Sequence, residues 1–184
     1  MKKIKTSIQD LFIIEKNDIY NDERGVFFES WNKEKFNELN LDSEFKQDNI
    51  SISKQNVLRG LHIQVAPKSQ LKLVQVIQGK VLDVIIDLRK KSSTFGKHEK
   101  FLLDSNKREI ISIPEGCAHG FLSLENNTIF SYKCNKNYSP DHEITINWND
   151  PDLCIDWKIK NPIISQKDKK GISLKTFLKL YNKQ

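Results

Sequence analysis

Short apolar runs with a period of two residues dominate the middle of the chain. These runs are rich in β-branched and aromatic side chains, are separated by Gly, Pro, Asn or Asp, and lie at residues 73–77, 81–88, 109–113, 120–124, 128–133 and 144–148. Many short strands with turn residues between them favour an all-β fold, either a sandwich or a jelly roll. Because the 184 residues contain no internal repeat and no linker, we expect residues 1–184 to form one domain.

Helical periodicity is confined to the two ends of the chain. Near the start, three apolar residues form a weak amphipathic pattern behind a serine suited to an N-cap: Trp31, Phe36 and Leu39 after Ser30. Near the end, four residues follow the i, i+3, i+4, i+7 spacing of one helix face: Leu174, Phe177, Leu178 and Tyr181. The pattern therefore predicts short peripheral helices at both ends of the β domain.

The net charge of +6 comes from the C-terminal part of the chain. Residues 1–157 contain 22 Lys and Arg against 23 Asp and Glu, whereas residues 158–184 contain eight Lys and one acid, Asp168. A basic face spread over the fold, as nucleic-acid binding requires, is not indicated, so we predict no nucleic-acid partner. From composition alone, the tail is interpreted as a solvated lysine-rich segment.

The cysteines and the apolar segments bear on the cellular compartment. Cys117, Cys134 and Cys154 are odd in number and lack the spacing of a metal site, so we interpret them as reduced core thiols of an intracellular protein. No apolar stretch is long enough to cross a membrane, and Gln9 and Asp10 interrupt the segment that a signal peptide would need. We therefore predict a cytoplasmic protein with no membrane contact.

Several polar residues fall within strands on faces that should be apolar. The residues concerned are His62, Lys72, His119 and Tyr132. Strand alternation places Lys72, for example, on the same side as Val74 and Val76. A single buried His or Tyr is more often a hydrogen-bonded core residue than a catalyst, but an inward lysine is rarely left unpaired. Together the four residues predict a polar cavity inside the β fold.

The segment PEGCAH at residues 114–119, with one histidine in an earlier strand, resembles the cupins. Cupins usually bind a transition metal through an HxH pair, a following Glu and the His of a PxGxxH segment. Here the pair reads His62-Ile63-Gln64, and the ammonium of Lys72 stands further along, where it would repel a divalent ion. We therefore predict a cupin-like double-stranded β-helix, or jelly roll, that holds no metal.

Longer motifs identify the family that the chain resembles. They are RGLHIQ (59–64), the run 70–96, IPEGCAHGFL (113–122), YSPDHE (138–143) and WNDPDLCIDW (148–157), supported by DERGVFFES (22–30), QDN (47–49) and ISQKD (164–168). In this order they resemble the dTDP-4-dehydrorhamnose 3,5-epimerases over nearly the whole chain. The resemblance implies a dTDP-linked 4-keto-6-deoxyhexose as the substrate, epimerisation at C3 and C5, and no cofactor.

The resemblance also implies roles for the residues of the predicted cavity. The 4-ketone makes the hydrogens at C3 and C5 acidic, so epimerisation needs a base, an acid on the opposite face and a partner for the O4 oxyanion. In the family motif the base, its carboxylate partner, the enolate stabiliser and the acid correspond to His62, Asp168, Lys72 and Tyr132. His119 and Arg59 match groups that polarise O4 and hold the sugar, and Asp83 would orient His119.

Eight further positions match family contacts with the nucleotide part of the substrate. They are Arg24, Glu29, Gln47, Asp48, Asn49, Tyr138, Glu143 and Lys167. An arginine suits a diphosphate because its fork pairs with two oxygens at once. Since the N-terminal segment of the family crosses a homodimer interface, the resemblance implies a homodimer in which Arg24 and Glu29 serve the neighbouring subunit.

Strand alternation alone does not place Arg59 on the same face as His62. Arg59 and His62 are separated by an odd number of positions, so they share one strand face only if the chain bulges or bends at Gly60.

The substrate is open, because three positions near the site depart from residues that are frequent in the family: Ile63, Cys117 and Asn137. The alternatives are an epimerase specific for C3, an epimerase of another nucleotide-linked 4-keto-6-deoxy sugar, and a catalytically silent cupin that only binds sugar nucleotides or scaffolds an assembly. Retention of both the predicted base and the predicted acid argues against the silent binder, so the double epimerase is the first choice.

Overall fold

The computed structural model describes residues 1–16, 18–41 and 44–181. In chain order the strands are β1 (Lys2–Lys5), β2 (Phe12–Glu15), β3 (Ile19–Asp22), β4 (Gly25–Phe28), β5 (Gln47–Ser53), β6 (Val57–Gln64), β7 (Lys72–Gln78), β8 (Lys80–Asp87), β9 (His98–Asp104), β10 (Ile110–Ile113), β11 (Cys117–Ser123), β12 (Thr128–Cys134), β13 (Glu143–Thr145) and β14 (Ile163–Ile164). The helices are α1 (Lys33–Glu38) and α2 (Leu174–Tyr181), with short 3-10 turns at Pro140–His142 and Asp168–Lys170.

The strands form two large sheets and one separate hairpin. The first sheet has the order β1-β2-β10-β7-β12-β5, and the second has the order β13-β6-β11-β8-β9, with β14 parallel to β6. Among the described residues, strands β3 and β4 pair only with each other. Apart from the pairs β1–β2 and β8–β9, neighbouring strands in the large sheets are not consecutive in the chain, as in a jelly roll, and the predicted all-β cupin-like fold is confirmed.

Apolar side chains from both large sheets meet between them. Val74 and Val76 of the first sheet pack in one buried cluster with Ile85 and Phe121 of the second, and Phe130 is fully buried among them. The inward faces alternate with outward faces along each strand, which is the pattern that predicted the strands. The site described below interrupts this apolar interior with polar groups.

The C-terminal segment covers the outer face of the second sheet. Of residues 158–184, Phe177 is buried in a cluster that includes Leu58 and Val84, and Ile172 and Leu174 pack against that cluster. The interpretation of residues 158–184 as a solvated segment is therefore wrong. The apolar residues of this segment complete the core, although its eight lysines make its composition look like that of an exposed segment. Helix α2 begins after Ser173, whose Oγ accepts from the amide of Thr176 at 3.1 Å. The side chain of Tyr181, part of the predicted helical face, lies outside the described residues.

Helix α1 packs Phe36 against the outer face of the first sheet, in contact with the cluster of Ile14, Leu73 and Ile110. Its N-cap is Asn32, whose side chain accepts from the amide of Lys35 at 3.2 Å. The predicted cap at Ser30 is therefore wrong by two residues.

Most predicted strands are present with shifted ends. Strand β11 begins at Cys117, three residues before the predicted start. Strand β13 ends at Thr145, whereas the prediction extended to residue 148, because Asn147 begins a turn in which its carbonyl accepts from the amide of Asp150 at 3.2 Å. The missed strands include the short pairs near the N-terminus, whose few residues give no clear periodicity.

The cysteines are all free thiols. Cys117 and Cys134 are buried as predicted, but Cys154 is exposed, so the prediction of a core thiol is wrong at that position. Within the described ranges, no helix has the length and apolar character needed to span a membrane.

Candidate functional site

A cavity of about 430 Å³ lies between the two sheets. Seven of the predicted site residues line it: Arg59, His62, Lys72, His119, Tyr132, Lys167 and Asp168. An adjoining hollow of about 250 Å³ shares three of these residues and adds Gln47, Asn49, Tyr138 and Glu143. Exposed residues of the lining, Arg59 and Lys167, mark the mouth, whereas the buried His119 and Phe121 mark the interior. The fold thus brings eleven predicted residues to one continuous space.

A bulge in β6 brings Arg59 and His62 to the same cavity. His62 pairs with His119, and Arg59 pairs with Phe121. Between these two pairs, β6 has two residues where β11 has one, which is the mark of a β-bulge. At Gly60 the φ angle is +123°, and an added Cβ would lie 2.5 Å from the Cα of Gly120. The bend predicted at Gly60 is confirmed, and only glycine fits there.

His62 is held by a buried carboxylate. Its Nε2 lies 2.6 Å from Oδ1 of Asp168, and the amide of Gly60 donates to the other carboxylate oxygen at 3.4 Å. Burial raises the pKa of Asp168, but the hydrogen bonds from His62 and the amide outweigh it and keep the pKa below its ordinary value. Asp168 is therefore an anion that fixes the imidazole and leaves Nδ1 as the nitrogen able to accept a proton.

A second histidine–carboxylate pair lies deeper in the cavity. Nε2 of His119 lies 2.6 Å from Oδ1 of Asp83, and Asp83 is fully buried. The ring of Phe130 stacks on His119 at a centroid distance of 5.9 Å. These contacts fix the orientation of His119, as predicted for Asp83, and leave its other ring edge for a ligand.

Lys72 and Tyr132 project into the cavity from neighbouring strands of the first sheet, whereas His62 projects from the second sheet. Within the described residues, Lys72 makes no side-chain hydrogen bond or ion pair. Burial lowers the pKa of its ammonium, and the nearby Cys134 and Glu143 partly offset that effect. Burial also raises the pKa of Tyr132, so its phenol keeps its proton at neutral pH.

The mouth of the cavity is bordered by a charged and aromatic cluster. The hydroxyl of Tyr138 donates to Glu143 at 2.8 Å, and Lys167 forms an ion pair with the same carboxylate. Burial raises the pKa of Glu143, but the hydrogen bonds from Lys167 and Tyr138 outweigh it and hold that pKa below its usual value. The amide of Tyr138 donates to Oε1 of Gln47 at 2.6 Å, which ties the cluster to β5.

Gln64, at the position where cupins place a metal ligand, is used to hold loops. Its amide nitrogen donates to the carbonyl of Lys68 at 2.7 Å, and its oxygen accepts from the amide of Ser139 at 2.9 Å. In the part of the chain that the structure covers, no three His, Cys, Asp or Glu side chains are grouped as they would be around a metal ion.

Three predicted site residues lie outside the cavity. Arg24 is exposed in the β3–β4 hairpin and pairs with Asp22 at 2.5 Å. Glu29 contacts Lys35, and Asp48 faces outward from β5 and pairs with Lys133 at 2.7 Å. Arg24 and Glu29 therefore do not contact the cavity within this chain.

The sequence analysis missed Ser51, which lines the cavity from β5. Alternation along β5 puts four polar residues on the inner face, Gln47, Asn49, Ser51 and Ser53. The outward residues Ile50 and Ile52 are 70% and 66% exposed. Polar and apolar residues do alternate strictly along β5, which is the pattern of a strand. On this strand, however, the apolar residues face outward and the polar residues face inward, the reverse of the usual arrangement.

Comparison with known proteins points to one family. The family model described as dTDP-4-dehydrorhamnose 3,5-epimerase matches residues 5–176. The dTDP-4-dehydrorhamnose 3,5-epimerase of Methanothermobacter thermautotrophicus is 48% identical over 170 residues, which is 90% of this chain and 90% of that protein.

Two of the solved structures that this chain matches contain a bound sugar nucleotide. The dTDP-6-deoxy-D-glucose-3,5-epimerase of Legionella pneumophila, in complex with dTDP-4-keto-L-rhamnose, matches with a TM-score of 0.89 and 41% identity over 95% of this chain and 93% of that one. A 3'-monoepimerase of Streptomyces bikiniensis, in complex with dTDP-quinovose, matches with a TM-score of 0.90 and 31% identity over 97% of this chain and 90% of that one.

Proposed function

The chain belongs to the dTDP-4-dehydrorhamnose 3,5-epimerase family, and from this premise we propose that it converts dTDP-4-dehydro-6-deoxy-D-glucose to dTDP-4-dehydro-L-rhamnose without a cofactor. The observation that carries the proposal is the placement of His62 and Tyr132 on opposite sheets with the cavity between them. Inversion of a carbon requires that one group removes the proton from one face and another returns a proton to the other face.

His62 is the base in this mechanism. Nδ1 takes the proton from C3 or C5, and the imidazolium that forms is stabilised by the anion of Asp168 at 2.6 Å. Tyr132, which keeps its proton because burial raises its pKa, returns a proton from the opposite face. A phenol suits this task because it is a weak acid that solvent can reprotonate.

The enolate intermediate carries its negative charge on O4. Lys72 has no side-chain hydrogen-bond or ion-pair partner within the described residues, so its ammonium is available for that oxygen, and His119 reaches the same interior. Donors that are already oriented in a site with little water stabilise such an oxyanion strongly. Asp83 acts through His119 as a positioning residue.

The nucleotide occupies the mouth of the cavity. Arg59 and Lys167 supply positive charge for the diphosphate, and the exposed ring of Tyr138 offers a surface for the base. The inner-face amides of Gln47 and Asn49 and the carboxylate of Glu143 add hydrogen-bonding groups beside it. Of the remaining predicted contacts, Asp48 contributes through its backbone, since its side chain faces outward.

The protein acts as a homodimer in this proposal. The outward residues Ile50 and Ile52 lie on an edge strand and leave an apolar surface that a second copy can cover. The hairpin β3–β4 projects separately from both sheets and carries Arg24, with Glu29 just beyond it. In the dimer this hairpin reaches the cavity of the partner subunit and brings both residues to its nucleotide. A cytoplasmic location is supported by the free thiols.

Epimerisation at both carbons is favoured over epimerisation at C3 alone. The relative named a 3,5-epimerase is 48% identical, whereas the 3'-monoepimerase is 31% identical. Incubation with the keto sugar nucleotide in heavy water tests this choice. Deuterium at both C3 and C5 of the product is expected; deuterium at C3 alone would identify a monoepimerase, and no deuterium at either carbon would refute enzymatic epimerisation.

A further inference from the structure

Ser51 lines the cavity, and its side-chain hydroxyl is buried without a hydrogen-bond partner among the described residues. Of the other inward residues of β5, the Oε1 of Gln47 accepts from Tyr138 and the Oγ of Ser53 accepts from Nε of Arg59 at 3.1 Å, whereas the Nδ2 of Asn49 is buried without a partner among the described residues, like the hydroxyl of Ser51. A buried polar atom without a hydrogen bond is destabilising, so a hydrogen bond from a polar group of the ligand would stabilise the complex at Ser51.

The position of Ser51 limits which part of the ligand it can meet. In the β5–β12 ladder it pairs with Phe130, next to the pair of Asn49 and Tyr132. It therefore stands beside the acid and between the exposed mouth, at Arg59, and the buried interior. In a pyranose ring C1, which carries the diphosphate, is opposite C4, which carries the ketone. With the diphosphate at the mouth and O4 in the interior, the ring carbons between C1 and C4 lie at the depth of Ser51.

The chemistry of the reaction then selects one hydroxyl. The configuration at C3 and C5 inverts during the reaction, and C4 has no hydroxyl. Of the hydroxyl-bearing carbons, C2 alone keeps its configuration from substrate to product. A fixed side chain that contacts the C2 hydroxyl therefore holds substrate, intermediate and product equally, without favouring one epimer. A serine hydroxyl both donates and accepts, so it suits a sugar hydroxyl.

Resting on the proposed function, we infer that Ser51 is a specificity-determining residue that hydrogen-bonds the C2 hydroxyl of the sugar. The protein thereby distinguishes 2-hydroxy sugars from 2-deoxy sugars attached to the same nucleotide. Because the contact is the same in the substrate and in the enolate, it strengthens binding without changing the rate of the chemical step.

The test compares two stable ligands that differ only at C2, dTDP-glucose and dTDP-2-deoxyglucose. Calorimetry on the wild type should give an affinity about five- to tenfold higher for the ligand with the hydroxyl, the effect of one neutral hydrogen bond. In Ser51→Ala this preference should disappear, with both ligands binding as the 2-deoxy ligand binds the wild type. Ser51→Thr, which keeps the hydroxyl, should retain the preference, and Ser93→Ala, on an exposed loop, should behave as the wild type.

A preference of the same size in the wild type and in Ser51→Ala would overturn the inference, since it would mean that another group reads C2. Equal binding of both ligands by the wild type would overturn it too. These results differ from failure of the proposed function, in which the wild type would bind neither ligand and would exchange no deuterium into the keto sugar nucleotide.

Discussion

Oδ1 of Asp168 lies 2.6 Å from Nε2 of His62, although the two residues are 106 positions apart. The carboxylate is 4% exposed and sits in a 3-10 turn within the lysine-rich C-terminal segment. That segment therefore completes the histidine pair as well as the core of the second sheet. A residue that composition assigns to a solvated tail becomes the partner of the proposed base.

Replacing Asp168 by Asn should leave the fold intact and lower kcat by about 10⁴-fold. Replacing the carboxylate that orients the catalytic histidine of serine proteases has an effect of this size. The amide can still bond to His62, but it supplies no negative charge for the imidazolium formed when the proton is removed. The measurement is kcat together with circular dichroism. Asp156→Asn, which changes an exposed carboxylate paired with Lys158, is the matched control and should keep wild-type kcat. Near wild-type kcat in Asp168→Asn would remove Asp168 from the mechanism.

Strand periodicity alone predicted part of this site. It put Lys72, His119 and Tyr132 on inward faces because the apolar residues beside them repeat every second position. The partnership of Asp168 with His62 came only from the family motif, since contacts over such a sequence distance leave no local signal. Ser51 was missed because β5 reverses the usual pattern: a cavity on its inner face and an uncovered outer face put the isoleucines outside.

The proposed dimer can be tested on those isoleucines. Ile52→Glu should shift the protein from dimer to monomer in analytical ultracentrifugation, because it places a charge in the apolar contact. Activity should fall with it, since Arg24 of one subunit can no longer reach the other cavity. The control is Leu102→Glu, at a residue 58% exposed on β9, the edge strand of the other sheet. A wild-type protein that sediments as a monomer, or an equal effect of both substitutions, would contradict this interface.

Activity should survive exhaustive chelation. Gln64 is engaged with loop backbone, and the cation of Lys72 stands in the cavity, so a divalent ion has a poor ligand set there. Turnover of the keto sugar nucleotide is measured before and after dialysis against EDTA, with elemental analysis of the dialysed protein. Loss of turnover that a divalent ion restores would show that a metal takes part.

Asp87 provides a stability prediction with a defined pH dependence. Burial raises its pKa, but hydrogen bonds from Arg89, Ser92 and Thr94, two of them at 2.6 Å, hold the pKa far below the ordinary value. The folded state therefore favours the carboxylate, and this stabilisation is complete above the unfolded pKa of about 3.9. It is lost progressively as the pH falls from there toward the folded pKa.

Asp87→Asn should accordingly lower the free energy of unfolding by about 2–3 kcal/mol at pH 7. The difference from the wild type should shrink below pH 4. Urea denaturation at pH 7, 5 and 3.5 measures it, with the exposed Asp156→Asn as the control. A difference that stays constant over this range would mean that the ionisation of Asp87 does not contribute.

Tyr132→Phe should separate proton removal from inversion. In this variant His62, Asp168 and Lys72 all remain, so the enolate still forms. With no acid on the opposite face, the proton returns mainly from His62, on the face that it left. In heavy water the recovered sugar nucleotide should therefore carry deuterium at C3 or C5 with retained configuration and little epimer. If Tyr132 were only a core residue, its loss would remove one hydroxyl, cost modest stability and leave epimerisation close to normal. NMR measures exchange and epimer ratio in the same sample, and an epimer that forms as fast as deuterium enters would exclude Tyr132 as the acid.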